Sequence, residues 1–281
     1  MKVNFSVDEA VKKRYSVRNY SDKDISEELK KDIDAFVLQL DNPLGVKVHF
    51  HDLDLLTNSN DQKLGTYGVI KGARHYIGAT VEKVPMALEA LGYAFETLIL
   101  YLAHKDIGTC WLGGTFDRKG FAAAMNLGEK TLFPIVSPYG YAANKKHIKE
   151  IAMRKVIKAD QRKPWNELFF DTDFLTPLTK EKAGEFMGAL EMVRLAPSAS
   201  NKQPWRIVWR DGIWHFYEYK TPGYSDRFTY DIQRIDMGIA AAHFDLLLRQ
   251  KGKIGAFELM EGLENGLPQN MEYVFSWKPM I

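Results

Sequence analysis

One cysteine, Cys110, stands among 281 residues. A lone thiol excludes an intrachain disulfide framework and a cysteine-based zinc site, and it suits a reducing compartment, so a cytoplasmic setting is expected. Neither sign of charge is in excess. Lys and Arg number 38 against 36 Asp and Glu, a formal +2 with no basic block, which argues against nucleic acid as a partner. Long apolar runs are missing too. The most apolar stretch, about residues 86–103, is interrupted by Glu89 and Glu96 and reads as a buried core helix, not a membrane span. The start, Met1-Lys-Val-Asn-Phe-Ser-Val-Asp-Glu, lacks the apolar centre of a secretory signal. No strand–Gly-x-Gly-x-x-Gly–helix fingerprint of a dinucleotide domain occurs. His49, His51 and His75 come without carboxylates at ligand spacing, so no metal is expected.

What remains is an ordinary globular composition, 46% apolar and 26% charged, long enough for one large domain or two smaller ones. One stretch is not ordinary: Arg194-Leu-Ala-Pro-Ser-Ala-Ser-Asn-Lys-Gln-Pro-Trp-Arg206. Residues 178–195 before it read as a helix capped by Thr179, with Glu181 and Glu185 suited to its first turns. Residues 206–210 after it alternate and read as a strand. Pro197 ends the helix and stiffens the loop. Ser198, Ser200, Asn201 and Gln203 crowd hydroxyl and amide groups there, which suits a flat, polar-edged ligand. Taken singly, such residues more often bond their own backbone in a turn.

A second segment, Arg14-Tyr-Ser-Val-Arg-Asn-Tyr20, places Arg14, Ser16 and Arg18 at alternate positions. In an extended chain these share one face and can cradle an anion, although clustered Arg is commonly solvated surface. Residues 84–104 form the strongest helix, apolar all round. It runs into Thr109-Cys-Trp-Leu-Gly-Gly-Thr-Phe116, where Gly113 and Gly114 permit close backbone approach to a ligand or simply make a tight turn. Residues 153–163 are basic. Other expected elements are a short helix at 7–13, a helix from Ser26 to about residue 40, strands at 46–51, 73–80 and 132–142, and a polar region to about residue 63.

These strings resemble the FMN-dependent nitroreductase family. The resemblance rests on Arg-x-Ser-x-Arg at 14–18, on Thr109-Cys-Trp-Leu-Gly after the central helix, and on Arg162-Lys-Pro-Trp-Asn-Glu-Leu168. It rests also on Pro-Ser-Ala-Ser-Asn-Lys-Gln-Pro-Trp at 197–205. It implies that Arg14 and Ser16 serve the ribityl-phosphate and that Arg18 lies near flavin N1 and the C2 carbonyl. Arg162 and Lys163 match phosphate-binding basic residues. Pro197, Ser198, Ser200, Asn201 and Gln203 match the loop against ring and ribityl chain, and Leu112, Gly113 and Gly114 match backbone contacts beside the ring. Thr66 and Tyr67 fall where the pyrimidine edge is often met. No catalytic side chain is implied, because flavin N5 carries the chemistry and a fixed cation tunes it.

Where a family member would stop, the chain repeats itself. Aligning Gly92 with Gly238 superposes Ala94 on Ala240, Leu100 on Leu246 and Lys105 on Lys251. Each repeat has what the other lacks. The first has the Arg-Ser-Arg segment but a reduced loop, Asp41-Asn-Pro-Leu-Gly45. The second has the full loop but Asp171-Thr-Asp-Phe174 in place of the Arg-Ser-Arg segment. The family is normally a twofold dimer whose flavins sit between subunits. The expectation is therefore an α+β, nitroreductase-like chain of two related repeats, each a mostly antiparallel sheet covered by helices, packed as a pseudo-dimer. Residues 1–170 would be the first repeat and 171–281 the second. One FMN per chain is expected, with NADH or NADPH as transient donor and a small-molecule acceptor such as a nitro-aromatic or a quinone. No membrane partner is expected, and the chain would act as a monomer or as a homodimer through another surface. A flavin-binding protein without turnover and an inactive structural relative are the alternatives.

Overall fold

The computed structural model describes residues 3–55, 64–128, 130–144 and 148–280. The first half runs α1 (Val7–Lys13), an extended segment, α2 (Glu27–Leu38), β1 (His49–Asp54), β2 (His75–Val81), α3 (Ala87–His104), β3 (Gly108–Thr109), α4 (Arg118–Ala124), β4 (Leu132–Gly140) and α5 (Ile148–Val156). Then come β5 (Phe169–Asp171), α6 (Lys180–Ala183), α7 (Met187–Leu195), β6 (Trp205–Arg210), β7 (Ile213–Tyr219), α8 (Gln233–Gln250), β8 (Gly255–Glu258) and β9 (Met271–Pro279). Local chemistry explains several boundaries. Ser26 and Thr179 accept the amides of Leu29 and Lys182 and so cap α2 and α6.

Two sheets result, with strand orders β1-β2-β4-β3 and β5-β6-β7-β9-β8. Without β5 the second order repeats the first, and every pairing in both is antiparallel. β5 is the exception. It lies parallel to β6 and is delivered by the segment that follows the first half, so the chain laces one half onto the other's sheet edge. The mixed α+β class with two related halves is thus what the fold shows.

The halves meet along α3 and α8, the most buried helices of the molecule, whose leucine and phenylalanine side chains are removed from water. Each such side chain stabilises by roughly 1.5–3 kcal/mol. The approach is closest at the glycines that the internal alignment pairs. A Cβ on Gly92 would run into the Ile235 carbonyl oxygen, and one on Gly238 into that of Glu89. The helix crossing therefore sits where the sequence repeat places its centre.

Some expectations shift. The helix expected over 178–195 is broken, because Gly184 takes φ 53° and a single 3-10 turn, Gly184–Phe186, separates α6 from α7. The first strand begins at His49 and not at residue 46, because its ladder with β2 starts at the His49–Thr80 pair. The expected boundary between residues 170 and 171 falls inside β5. Most of the polar region before Lys63 lies outside the described residues. Among the described residues no helix is long and apolar enough to cross a membrane, and no group of three His, Cys, Asp or Glu is placed to hold a metal.

Candidate cofactor cleft

The Arg14–Arg18 segment leaves α1 in extended geometry and is pinned on both sides. Val17 donates its amide to Thr109 O at 2.8 Å, and Lys71 donates to Arg18 O at 2.9 Å. Gly108 lies so near that a Cβ there would stand 2.6 Å from Val17. The period of two then sorts the side chains. Val17 enters a core cluster behind the segment, while Arg14, Ser16 and Arg18 face a cleft.

The loop after α7 faces the same cleft from the second half. Ser200, Asn201 and Gln203 all adopt left-handed φ, near 50°, which costs energy in residues other than glycine and persists only where other contacts impose it. Those contacts are present. Ser198 Oγ accepts the Gln203 amide at 2.8 Å, Asn201 Nδ2 donates to Lys158 O at 2.7 Å, and Gln203 Oε1 accepts the Lys163 amide at 2.8 Å. Tyr224 donates to Ser200 Oγ at 2.9 Å. The amide side chains thus hold the loop's shape, and Pro197 and Ser198 line the cleft.

Between segment and loop lies a cleft open to solvent, about 800 Å³ counting the solvent space at its mouth. Its floor is apolar, from Ile135 of the first half and Ile232, Ile235 and Ile239 of the second; Gly113 leaves room for Ile232, 2.8 Å from where a Cβ would be.

Three arginines, Arg14, Arg18 and Arg162, line this cleft. Arg162 donates to the carbonyls of Leu195, Ala159 and Gln161 and to Asn201 Oδ1, all neutral. Burial, then repulsion from Arg14 and other cations, pulls its pKa down to about 10. Arg14 is displaced downwards too, chiefly by burial, with Glu96 opposing at 4.0 Å. Arg14 Nε and Arg18 Nε are buried and make no hydrogen bond among the described residues. Arg14 repels Arg162, and these two buried donors are unused there, so the arrangement suits an anion.

Glu96 anchors the back wall. It is wholly buried and accepts from Trp111 Nε1 and meets His243 Nε2, each at 2.9 Å.

Of the residues singled out in the sequence, Arg14, Ser16, Arg18, Gly113, Arg162, Pro197, Ser198, Ser200 and Asn201 converge on the cleft. Others stand off it. Leu112 is buried in a bridge with Val136, and Gly114 lies against Arg227 and Phe228. Lys163 and Gln203 line an outer groove behind the loop, shared with Arg162 and Asn201. Thr66 is buried, with its hydroxyl 3.4 Å from the Ile70 amide, and Tyr67 is exposed on the neighbouring turn. Sequence reading missed Trp111, Ile135, Ile157, Ala159, Asp236 and the isoleucines of α8. For Asp236 a signal existed: a carboxylate between Ile235 and the apolar run Met237–Ala242 of α8.

The family model described as "Putative TM nitroreductase" matches residues 6–247, and the chain belongs to that family. The crystal structure of a "putative nitroreductase" from Thermotoga maritima is similar over 99% of this chain and 95% of that one, with a TM-score of 0.62 at 20% identity. A nitroreductase with bound FMN from Bacteroides fragilis matches 52% of this chain and 92% of its own (TM-score 0.40, 20% identity). One from Desulfitobacterium hafniense, also with bound FMN, matches 50% and 93% (TM-score 0.40, 17% identity). No curated protein matches.

Proposed function

We propose that the cleft binds one FMN per chain and that the protein is an NAD(P)H-dependent oxidoreductase of nitroreductase type, acting on nitro-aromatic, quinone or related acceptors. The observation that carries this reading is the set of Arg14, Arg18 and Arg162, with idle buried Nε donors on the first two, across from the Pro197–Ser198 wall. A flavin phosphate is a dianion and takes such donors in parallel pairs. The apolar floor suits a flat ring, and Ser198, whose oxygen already accepts the Gln203 amide, keeps its hydroxyl hydrogen free to donate. When bound, FMN would supply the hydride chemistry, with nicotinamide and acceptor using the cleft in turn.

The chain's own residues then have distinct tasks. Arg14 and Arg162 neutralise the phosphate, and Arg18 offers a fixed positive charge to the ring, favouring the reduced, more anionic form. The isoleucines exclude water. Because both walls belong to one chain, no second subunit is needed to close the site, so a monomer suffices. The division into repeats at about residue 170 belongs to the same proposal, with β5 as the lace between them.

The test is direct. Heat release followed by chromatography should yield FMN at one equivalent per chain, and NADH or NADPH should bleach the bound flavin, with reoxidation on adding a quinone or nitro-aromatic. Recovery of FAD, two flavins per chain, or a colourless protein that takes up no added FMN would overturn the reading. Flavin that binds but does not bleach would make the protein a passive binder.

A further inference from the structure

Asp236 stands in the first turn of α8 and lines the cleft at 2% exposure. Its Oδ1 accepts the Ala199 amide at 2.9 Å, while its Oδ2 is buried without a partner. Around it the α8 wall is isoleucine. The charged and titratable groups that face it are few. Arg14, Arg18 and Arg162 line the same cleft but none pairs with it, Asp231 precedes it at the start of α8, and Tyr224 stands beyond Ser200. Burial, with Asp231 adding to it, pushes this carboxyl well above the usual carboxylate range.

A carboxylate with one hydrogen bond against an apolar wall is costly, and the group avoids that cost by keeping its proton. The neutral acid offers an acceptor and a donor. Ala199 uses the acceptor, and among the described residues nothing receives the donor. We propose that Asp236 is a further cofactor-binding residue, whose Oδ2–H donates a hydrogen bond to an acceptor atom of the bound flavin. This rests on the FMN reading above. A neutral donor holds an anionic ligand without repelling it, as an ionised aspartate would. The position is particular to the working cleft: on α3 the internal alignment pairs Asp236 with Ala90.

Two variants separate the possibilities. Asp236→Asn keeps a neutral acceptor for Ala199 and a donor into the cleft, whereas Asp236→Leu removes both at similar size. By fluorescence titration with FMN, the Asn variant should bind within about threefold of the unmodified protein and the Leu variant about tenfold more weakly. The infrared difference spectrum of the unmodified protein minus the Asn variant should show a protonated carboxyl stretch and no carboxylate pair. That stretch should move when FMN is added, which a merely structural aspartate would not show, and it can be read even if the Leu variant fails to fold. A carboxylate signature, a stretch that ignores FMN, or an Asn variant that binds tenfold more weakly would overturn this inference and leave the FMN site standing. Failure of the unmodified protein to bind FMN would overturn both.

Discussion

The Arg14–Arg18–Arg162 cleft and the equivalent face on the other side of the helix crossing share a scaffold and differ in side chains. On α8 the cleft presents Ile235, Asp236 and Ile239; the residues aligned with them on α3 are Glu89, Ala90 and Tyr93. Glu89 meets Arg234, which also approaches Glu218 and Glu272, while Lys220 meets Glu272, so this side's charges are paired with one another. Tyr93 donates to Asp245 at 2.6 Å, and Trp277 donates to the other oxygen of Asp245 at 3.1 Å. The first half's loop has turned inward: Asn42 donates to Val46 O and accepts the Leu44 amide, closing the turn on itself. Only a smaller hollow remains beside Asp41–Pro43 and Tyr93, about 380 Å³ against about 800 Å³ for the cleft when the open space at each mouth is counted. Backbone symmetry and binding chemistry are separable: a few side chains empty or fill a site whose framework is unchanged.

The comparison breaks most severely at its centre. Gly238→Ala would drive a methyl group into the Glu89 carbonyl, which belongs to a helix backbone and cannot swing aside. We expect a loss of about 3 kcal/mol in thermal unfolding, with weakened FMN binding because the cleft spans the crossing. Next comes Arg14→Ala, which should weaken FMN binding by roughly 1.5–3 kcal/mol in a fluorescence titration, the range for a charge-assisted hydrogen bond.

A third expectation concerns pH on the other side of the crossing. Burial raises Glu218 to about 8, against an ordinary value of 4.5. The folded state holds this proton more tightly than the unfolded chain does. Its contribution is therefore fully present below the ordinary value and is lost as pH rises through about 8. Glu218→Gln should flatten that fall by on the order of 1–3 kcal/mol, measured as denaturant midpoints across the window. The smallest effect belongs to Asp171→Ala, at the place where the second half has no Arg-Ser-Arg segment. Asp171 pairs with Lys182, so unfolding should shift by no more than about 1 kcal/mol and FMN affinity should not change.

The parts legible in the sequence were those with local signals. The alternation of Arg14, Ser16 and Arg18 needs only an extended chain to set one face, and Pro197 ends α7 wherever it packs. Residues whose role depends on the other half were silent. Ile135 and Ile239 read as ordinary core, and the cleft they share is apparent only once α3 and α8 cross. Gln203 looked like a ligand contact, yet its left-handed backbone turns its amide back to Lys163 and makes it a brace. The break at Gly184 was hidden because the apolar pattern continues across it.

The crossing at Gly92 and Gly238 has a consequence for how such a chain can change. In an assembly of two identical subunits every substitution is made twice, once in each site, and must be tolerated in both. Here the two sides of the crossing are written separately, so Ala90 and Asp236 are independent letters. A change that perfects one cleft leaves the other untouched, and the idle side is free to become mortar. The glycines at the crossing have no such freedom, since each is held small by the opposite helix, and neither can drift while its partner stays.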